Sequence, residues 1–141
     1  MEPNLLHFAQ NNLLYVVLAA ASGAMLLWQT VMGAGGAGGV TPLQATLLMN
    51  REDALVIDVR EANEWAAGHI PNSRHIPLSQ LSKRIGEIEK FKTRDVIVNC
   101  QSGNRSASGC GALRKLGFEK VHNLAGGISA WREAGLPITS K

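Results

Sequence analysis

The sequence predicts an α/β domain built on a parallel sheet, behind a separate apolar helix. Three observations predict it. Short strand-like runs, two of them rich in β-branched residues (54–59 and 96–99) and a third at 120–123, alternate with segments of helical spacing, the pattern of strands joined by crossovers that cover both faces of a sheet. Charge is partitioned: residues 1–40 carry Glu2 and no Lys or Arg, whereas all 14 basic residues and every other acidic residue follow. Between these parts lies Gly33-Ala-Gly-Gly-Ala-Gly-Gly39, whose glycines lose too much backbone entropy on ordering to hold a stable element.

In order, residues 1–12 read as a short tail and residues 13–32 as an uncharged apolar helix. At ~30 Å such a helix matches the hydrocarbon core of a bilayer, with Tyr15 and Trp28 placed as interfacial aromatics. The expectation is one transmembrane anchor. A cleaved signal peptide is the rival, disfavoured because no Lys or Arg precedes the run and the run exceeds a signal core of about 7–15 residues. The basic residues all follow the helix, so the positive-inside rule places the C-terminal part in the cytoplasm, making this a single-pass membrane protein. Ala19 and Gly23, four apart, would let two such helices pack, giving at most a weak homodimer. Residues 33–39 are then a linker, and residues 40–141 the folded domain.

Within that domain, Thr41-Pro42-Leu43-Gln44 reads as a helix start with a capping box and proline in the first turn. The helix ends near Asn50, with Leu43, Leu47 and Leu48 directed to a core. Ala54–Val59 is a buried strand. A short helix over 61–67 stops at Gly68, and an extended piece follows at His75-Ile76. Residues 78–91 have Leu81, Ile85, Ile88 and Phe91 at helical spacing and read as an amphipathic helix. Val96–Asn99 is the next strand, Lys120–Asn123 another, and 128–134 the last helix. Trp131 reads as core.

Composition excludes several functions. The basic residues are scattered with few aromatics beside them, which gives no nucleic-acid footprint. Two cysteines make no disulfide framework, no Cys/His cluster has metal-ligand spacing, and no cofactor is called for. A chain with a thiolate to protect fits a reducing compartment.

That thiolate is the centre of the chemistry. Cys100 ends a buried strand and faces, across Gln101-Ser102-Gly103-Asn104, a helix beginning near Arg105-Ser106. A cysteine at the C-terminal end of a strand lies where open α/β sheets bind ligands. The N–H groups and dipole of the following helix favour an anion there and lower the thiol pKa. Gly103 permits the tight turn, the N–H groups of residues 101–106 form an anion cradle, and Arg105 adds positive charge. Ser106 either holds the loop through its hydroxyl or caps the helix. Asp58, at a neighbouring strand end, and Arg60 support the site. A buried structural cysteine is the bland alternative for Cys100, and it leaves the glycine-containing loop and its arginine unexplained. Cys110, nearly two turns into the helix, reads as a packed small side chain. His69 and His75 are not needed as bases once the thiolate exists.

The segment Cys100-Gln-Ser-Gly-Asn-Arg105-Ser106 resembles the C-x-x-G-x-R-S loop of the rhodanese-like sulfurtransferases. Asp58-Val-Arg60-Glu61, Gly68-His-Ile-Pro71, Ile76-Pro77, Leu116-Gly-Phe118, Gly126-Gly-Ile-Ser-Ala-Trp131 and Gly135-Leu-Pro137 resemble other landmarks of that family in the same order. The resemblance implies a rhodanese-like five-stranded parallel sheet with helices on both faces. It also implies a Cys100 persulfide, filled by a small anionic donor such as thiosulfate or by another persulfide and emptied onto a thiol or protein acceptor. Phosphatases sharing this architecture have five residues between Cys and Arg; here there are four, which by the family comparison suits sulfur. An interaction module with an idle thiol is the alternative from another class.

Overall fold

The computed structural model describes residues 4–32, with side chains to 28, and residues 39–141. They fall into two compact units that part ahead of Gly39. The linker expected over 33–39 lies, apart from Gly39, outside the described residues.

In the first unit the stretch read as a tail contains a helix, α1 (Leu5–Asn11), and the apolar run is helical over the expected bounds as α2 (Leu13–Met32). Asn12 ends α1: its backbone N–H and side-chain amide both donate to the Phe8 carbonyl. The apolar side chains of α2 from Leu13 to Leu18 and from Met25 to Trp28 are exposed. The expectation of one transmembrane helix finds no support here. Among the described residues no single helix is long and apolar enough to cross a membrane, and only α1 and α2 together, bent by 94°, reach that measure.

The second unit begins with α3 (Pro42–Arg51), whose capping box forms as expected. Thr41 Oγ1 accepts from the Gln44 N–H, and Gln44 Oε1 from the Thr41 N–H. Its core contact is not the leucine stripe. Leu43 and Leu47 are exposed, and Ala45 is buried, with Leu48 packed beside it. The small Ala45 side chain lets the helix backbone lie close to the sheet.

Four strands follow: β1 (Leu55–Asp58), β2 (Arg74–His75), β3 (Asp95–Asn99) and β4 (Lys120–Asn123). All pairings are parallel, in the order β2-β1-β3-β4. The expected fifth strand shrinks to one bridge, Val40 to Leu124, with Val40 N–H donating to Asn123 O and Ala125 N–H to Val40 O. Pairing cannot continue because Thr41 is already a helix N-cap and Pro42 has no N–H to give a ladder.

Side chains of the strands alternate between two apolar layers. Ile57, Val59, Val96, Val98 and Cys100 meet Leu113 and Cys110 of α5 (Asn104–Lys115), together with Leu81 and Ile88. On the other face Val56 and Ile97 meet Ala45 of α3 and Trp131 of α6 (Gly127–Glu133), whose indole N–H donates to Pro137 O. The helix expected over 78–91 is replaced by three short 3₁₀ turns, at 78–80, 85–87 and 89–91. Gly86 and the β-branched Ile85 and Ile88 weaken an α-helix there, while Leu81 and Ile88 still reach the core as the periodicity required.

β1 leads to α4 (Ala62–Ala67), and there the fold buries a charge pair. Asp58 is 0% and Arg60 2% exposed. The Asp58 carboxylate accepts from the Arg60 backbone N–H, Nε and Nη2, and Nη2 also donates to the Gly68 carbonyl. The pair thus holds β1 to the turn after α4. Asp58→Ala strands the guanidinium in the interior and should cost about 3–5 kcal/mol in urea unfolding of the full chain. Asp58→Leu combined with Arg60→Met, which buries no lone charge, should cost less.

Candidate active site

β3 delivers Cys100 at its C-terminal end, and α5 starts four residues later with Gly103 as its N-cap in a left-handed conformation (φ 104°). That turn folds the loop back on the sulfur. Gly103 N–H donates to Cys100 Sγ at 3.0 Å, and Ser106 Oγ lies 3.2 Å from the same sulfur. Burial of the thiol opposes its ionisation. The Ser106 hydroxyl and the backbone N–H groups of Ser106, Gly103 and Ser102 outweigh burial, and the Cys100 pKa is lowered. Hydrogen bonds, rather than the arginine, carry this shift.

A second helix start keeps the loop's carbonyls away from the sulfur. Ile128 N–H donates to Cys100 O and Ser129 N–H to Gln101 O, both from the first turn of α6. The approach requires glycine: Gly127 has φ 59°, and a Cβ there would overlap the Cys100 carbonyl oxygen. Gln101 Nε2 also donates to Ser129 Oγ at the rim. With its acceptors tied down behind it, the loop turns N–H groups toward Cys100, an arrangement that holds an anion.

The loop residues Gln101, Ser102, Gly103, Asn104, Arg105 and Ser106 are therefore brought together around or beside Cys100, with Gln101, Ser102 and Asn104 exposed and Ser106 buried. Arg105 is not free to face an anion. It makes a two-pronged ion pair with Glu64 of α4, at 2.6 and 2.8 Å. The guanidinium holds the Glu64 carboxyl at about 2, against its ordinary 4.5. Asp58 and Arg60 are closed on each other and on Gly68, and no hydrogen bond from Asp58 to a loop N–H is present among the described residues, so their support is to the strand end. Cys110 is buried, and burial raises its thiol to about 11, leaving it neutral and packed. The two ring nitrogens of His69 lie 3.0 Å from the carbonyl oxygens of Trp65 and Lys141, and His75 Nε2 donates to that of Arg60, both structural uses.

Three partners of the loop escaped the sequence reading: Glu64, Ser129 and Asn123. Each lies on another element, more than fifteen residues from its loop partner, and no spacing rule links them. Asn123 could be suspected only from its position at the C-terminal end of β4, level with the loop. It accepts from Ser106 Oγ–H and donates to Gly103 O.

The domain has relatives among known proteins. The family model for the rhodanese-like domain matches residues 41–134. A sulfurtransferase of Allochromatium vinosum is 42% identical over 93 residues, 66% of this chain and 85% of that protein. Among solved structures, a rhodanese-related protein from Thermoplasma volcanium matches with TM-score 0.64 at 33% identity, over 73% of this chain and 98% of that one. A thiosulfate sulfurtransferase from Pseudomonas aeruginosa matches with TM-score 0.63 at 25% identity, over 72% of this chain and 19% of that one.

The Glu64–Arg105 pair sets an acid limit. A carboxylate depressed in the fold stabilises above its unfolded value near 4.5, and that contribution drains away as pH falls toward about 2. Glu64→Gln should be less stable than the parent at pH 7 by up to about 1 kcal/mol, the range for a partly exposed pair. The gap should close between pH 4.5 and 2 when denaturation midpoints of the two are compared.

Proposed function

This chain belongs to the rhodanese-like domain family, and from that premise we propose that it is a sulfurtransferase working through a persulfide on Cys100. The observation that carries the reading is the sulfur itself: a buried thiol with lowered pKa, ringed by N–H donors and backed by a second helix start. The Cys100 thiolate attacks the outer sulfur of a sulfane donor, forming an S–S bond as the donor's own bond to that sulfur breaks. With thiosulfate, sulfite leaves with the bonding electron pair. An acceptor thiolate then attacks the outer sulfur of the persulfide, and Cys100 departs again as thiolate, held by the same N–H groups. The two halves balance with no oxidant or reductant.

Arg105 bears on the donor. Its charge is compensated by Glu64, and the loop has no lysine, so a thiosulfate dianion meets little net positive charge. A persulfide on a small thiol or on a protein is the donor this site favours, with thiosulfate a slower substitute.

The experiment is the intact mass of the full chain before and after each donor. A gain of one sulfur from a glutathione persulfide, reversed by cyanide and absent in Cys100→Ser, is the expected result, with thiosulfate loading more slowly. No gain from either donor would sink the sulfur-transfer reading and leave a binding module with an idle thiol.

We also propose that the N-terminal unit tethers the domain to a membrane, with the catalytic part on the cytoplasmic side. The support is the uncharged, outward-facing apolar surface of α2 and the placement of all basic residues after it. In fractionated cells the full chain should stay in the membrane pellet through alkaline carbonate, and a chain starting at Gly39 should leave it. Recovery of the full chain in the soluble fraction would refute the tether.

A further inference from the structure

Asn123 sits at the end of β4, bonded at both ends of its amide to the catalytic loop. Its Nδ2 donates to Gly103 O at 3.1 Å, which fixes the amide's orientation, because the reverse would set two oxygens against each other. Oδ1 is thereby turned to Ser106 and accepts its hydroxyl proton at 2.5 Å. The same Ser106 oxygen lies 3.2 Å from Cys100 Sγ. A serine hydroxyl has one proton to give. We propose that Asn123 competes with the Cys100 sulfur for the single hydroxyl proton of Ser106, and so acts as a positioning residue that restrains the thiolate.

The two protonation states of the sulfur use this chain differently. As a thiol, Cys100 donates its S–H to Ser106 Oγ, and Ser106 donates onward to Asn123, so all three groups are satisfied. As a thiolate, the sulfur has no proton to give and gains most if Ser106 turns its own proton back. Doing so leaves Asn123 Oδ1 without its donor. Ser106 is fully buried, so no solvent exposure at its hydroxyl eases the choice. The Asn123 acceptor therefore offsets part of the lowering that Ser106 and the N–H groups give the sulfur, and the anion is better stabilised when Ser106 turns its proton from Asn123 to the sulfur.

The ionisable groups around this chain are few. Arg105 is held by Glu64, Cys110 is a neutral packed thiol, and Asp58 and Arg60 at the end of β1 are closed on each other. Among the described residues none of them hydrogen-bonds Ser106 or Asn123. Replacing Asn123 therefore alters the competition without removing a charge from the site.

This inference deepens the reading of Cys100 as the nucleophile, but its test does not depend on sulfur transfer. Alkylation of the full chain by iodoacetamide, followed at the Cys100 peptide across pH, reports the thiol directly. Asn123→Leu, of similar size with no acceptor, should move the rate–pH midpoint to lower pH. Below the parent's midpoint its alkylation should run roughly threefold faster, since more thiolate is offset in part by a less basic sulfur. Asn123→Val, which suits a strand, carries the test should the leucine variant fail to fold. In a Ser106→Ala background neither replacement should move the midpoint, because no proton is left to compete for. An unchanged or raised midpoint in folded Asn123 variants, or an equal displacement without Ser106, would overturn the proposal. A persulfide that fails to form while the midpoints follow this order would instead count against sulfur transfer alone.

Discussion

The turn at Gly103 is the constraint on which the rest of the site depends. A left-handed residue between β3 and α5 reverses the chain so that the N–H of the turn itself meets the sulfur of Cys100 three residues back. Without that reversal the thiol would end a strand in an apolar layer, and burial would hold it protonated, as it does for Cys110 in α5. Two cysteines in one hydrophobic cluster thus differ in chemistry because hydrogen bonds from the loop outweigh burial at Cys100, whereas burial prevails at Cys110.

The turn does not stand by itself. A loop that points its N–H groups inward must point carbonyls outward, and those at Cys100 and Gln101 are satisfied by the first turn of α6. That requires α6 to approach the loop backbone directly, and a side chain at Gly127 would block the approach. β4 supplies the other brace through Asn123, which ties Gly103 O and Ser106 Oγ to the sheet. The parallel register of β3 with β4 brings Asn123 opposite Val98, just ahead of the loop, so the sheet order itself sets the site.

How much of this was legible follows from how local each interaction is. The capping box at Thr41, the strand positions to within a residue at each end and the place of Cys100 at a strand end all rest on near neighbours in sequence, and each is found. The failures are tertiary. Of the stripe Leu43, Leu47 and Leu48 only Leu48 packs on the core; Leu43 and Leu47 are exposed, and the small Ala45 is the residue of α3 that is buried. Residues 78–91 kept the buried positions that the periodicity called for without keeping the helix, since core burial constrains where side chains point more than how the backbone gets them there. The fifth strand failed on a local fact that was in view: a proline-led helix starting at once after Val40.

The same distinction explains the arginine. Read along the chain, Arg105 stands beside a nucleophilic cysteine at a helix start and looks assigned to an anionic substrate. In the fold a carboxylate from α4, forty-one positions earlier, already occupies both prongs of its guanidinium. A bidentate pair gives up its partner only to a ligand of comparable geometry and charge. Arg105 therefore contributes less as an attractive charge than as a fixed strut joining α4 to the loop. The electrostatic work at the sulfur passes to backbone N–H groups and one shared hydroxyl, none of which carries a formal charge. A site built that way lowers the pKa of the thiol through hydrogen bonds from groups the fold holds in place.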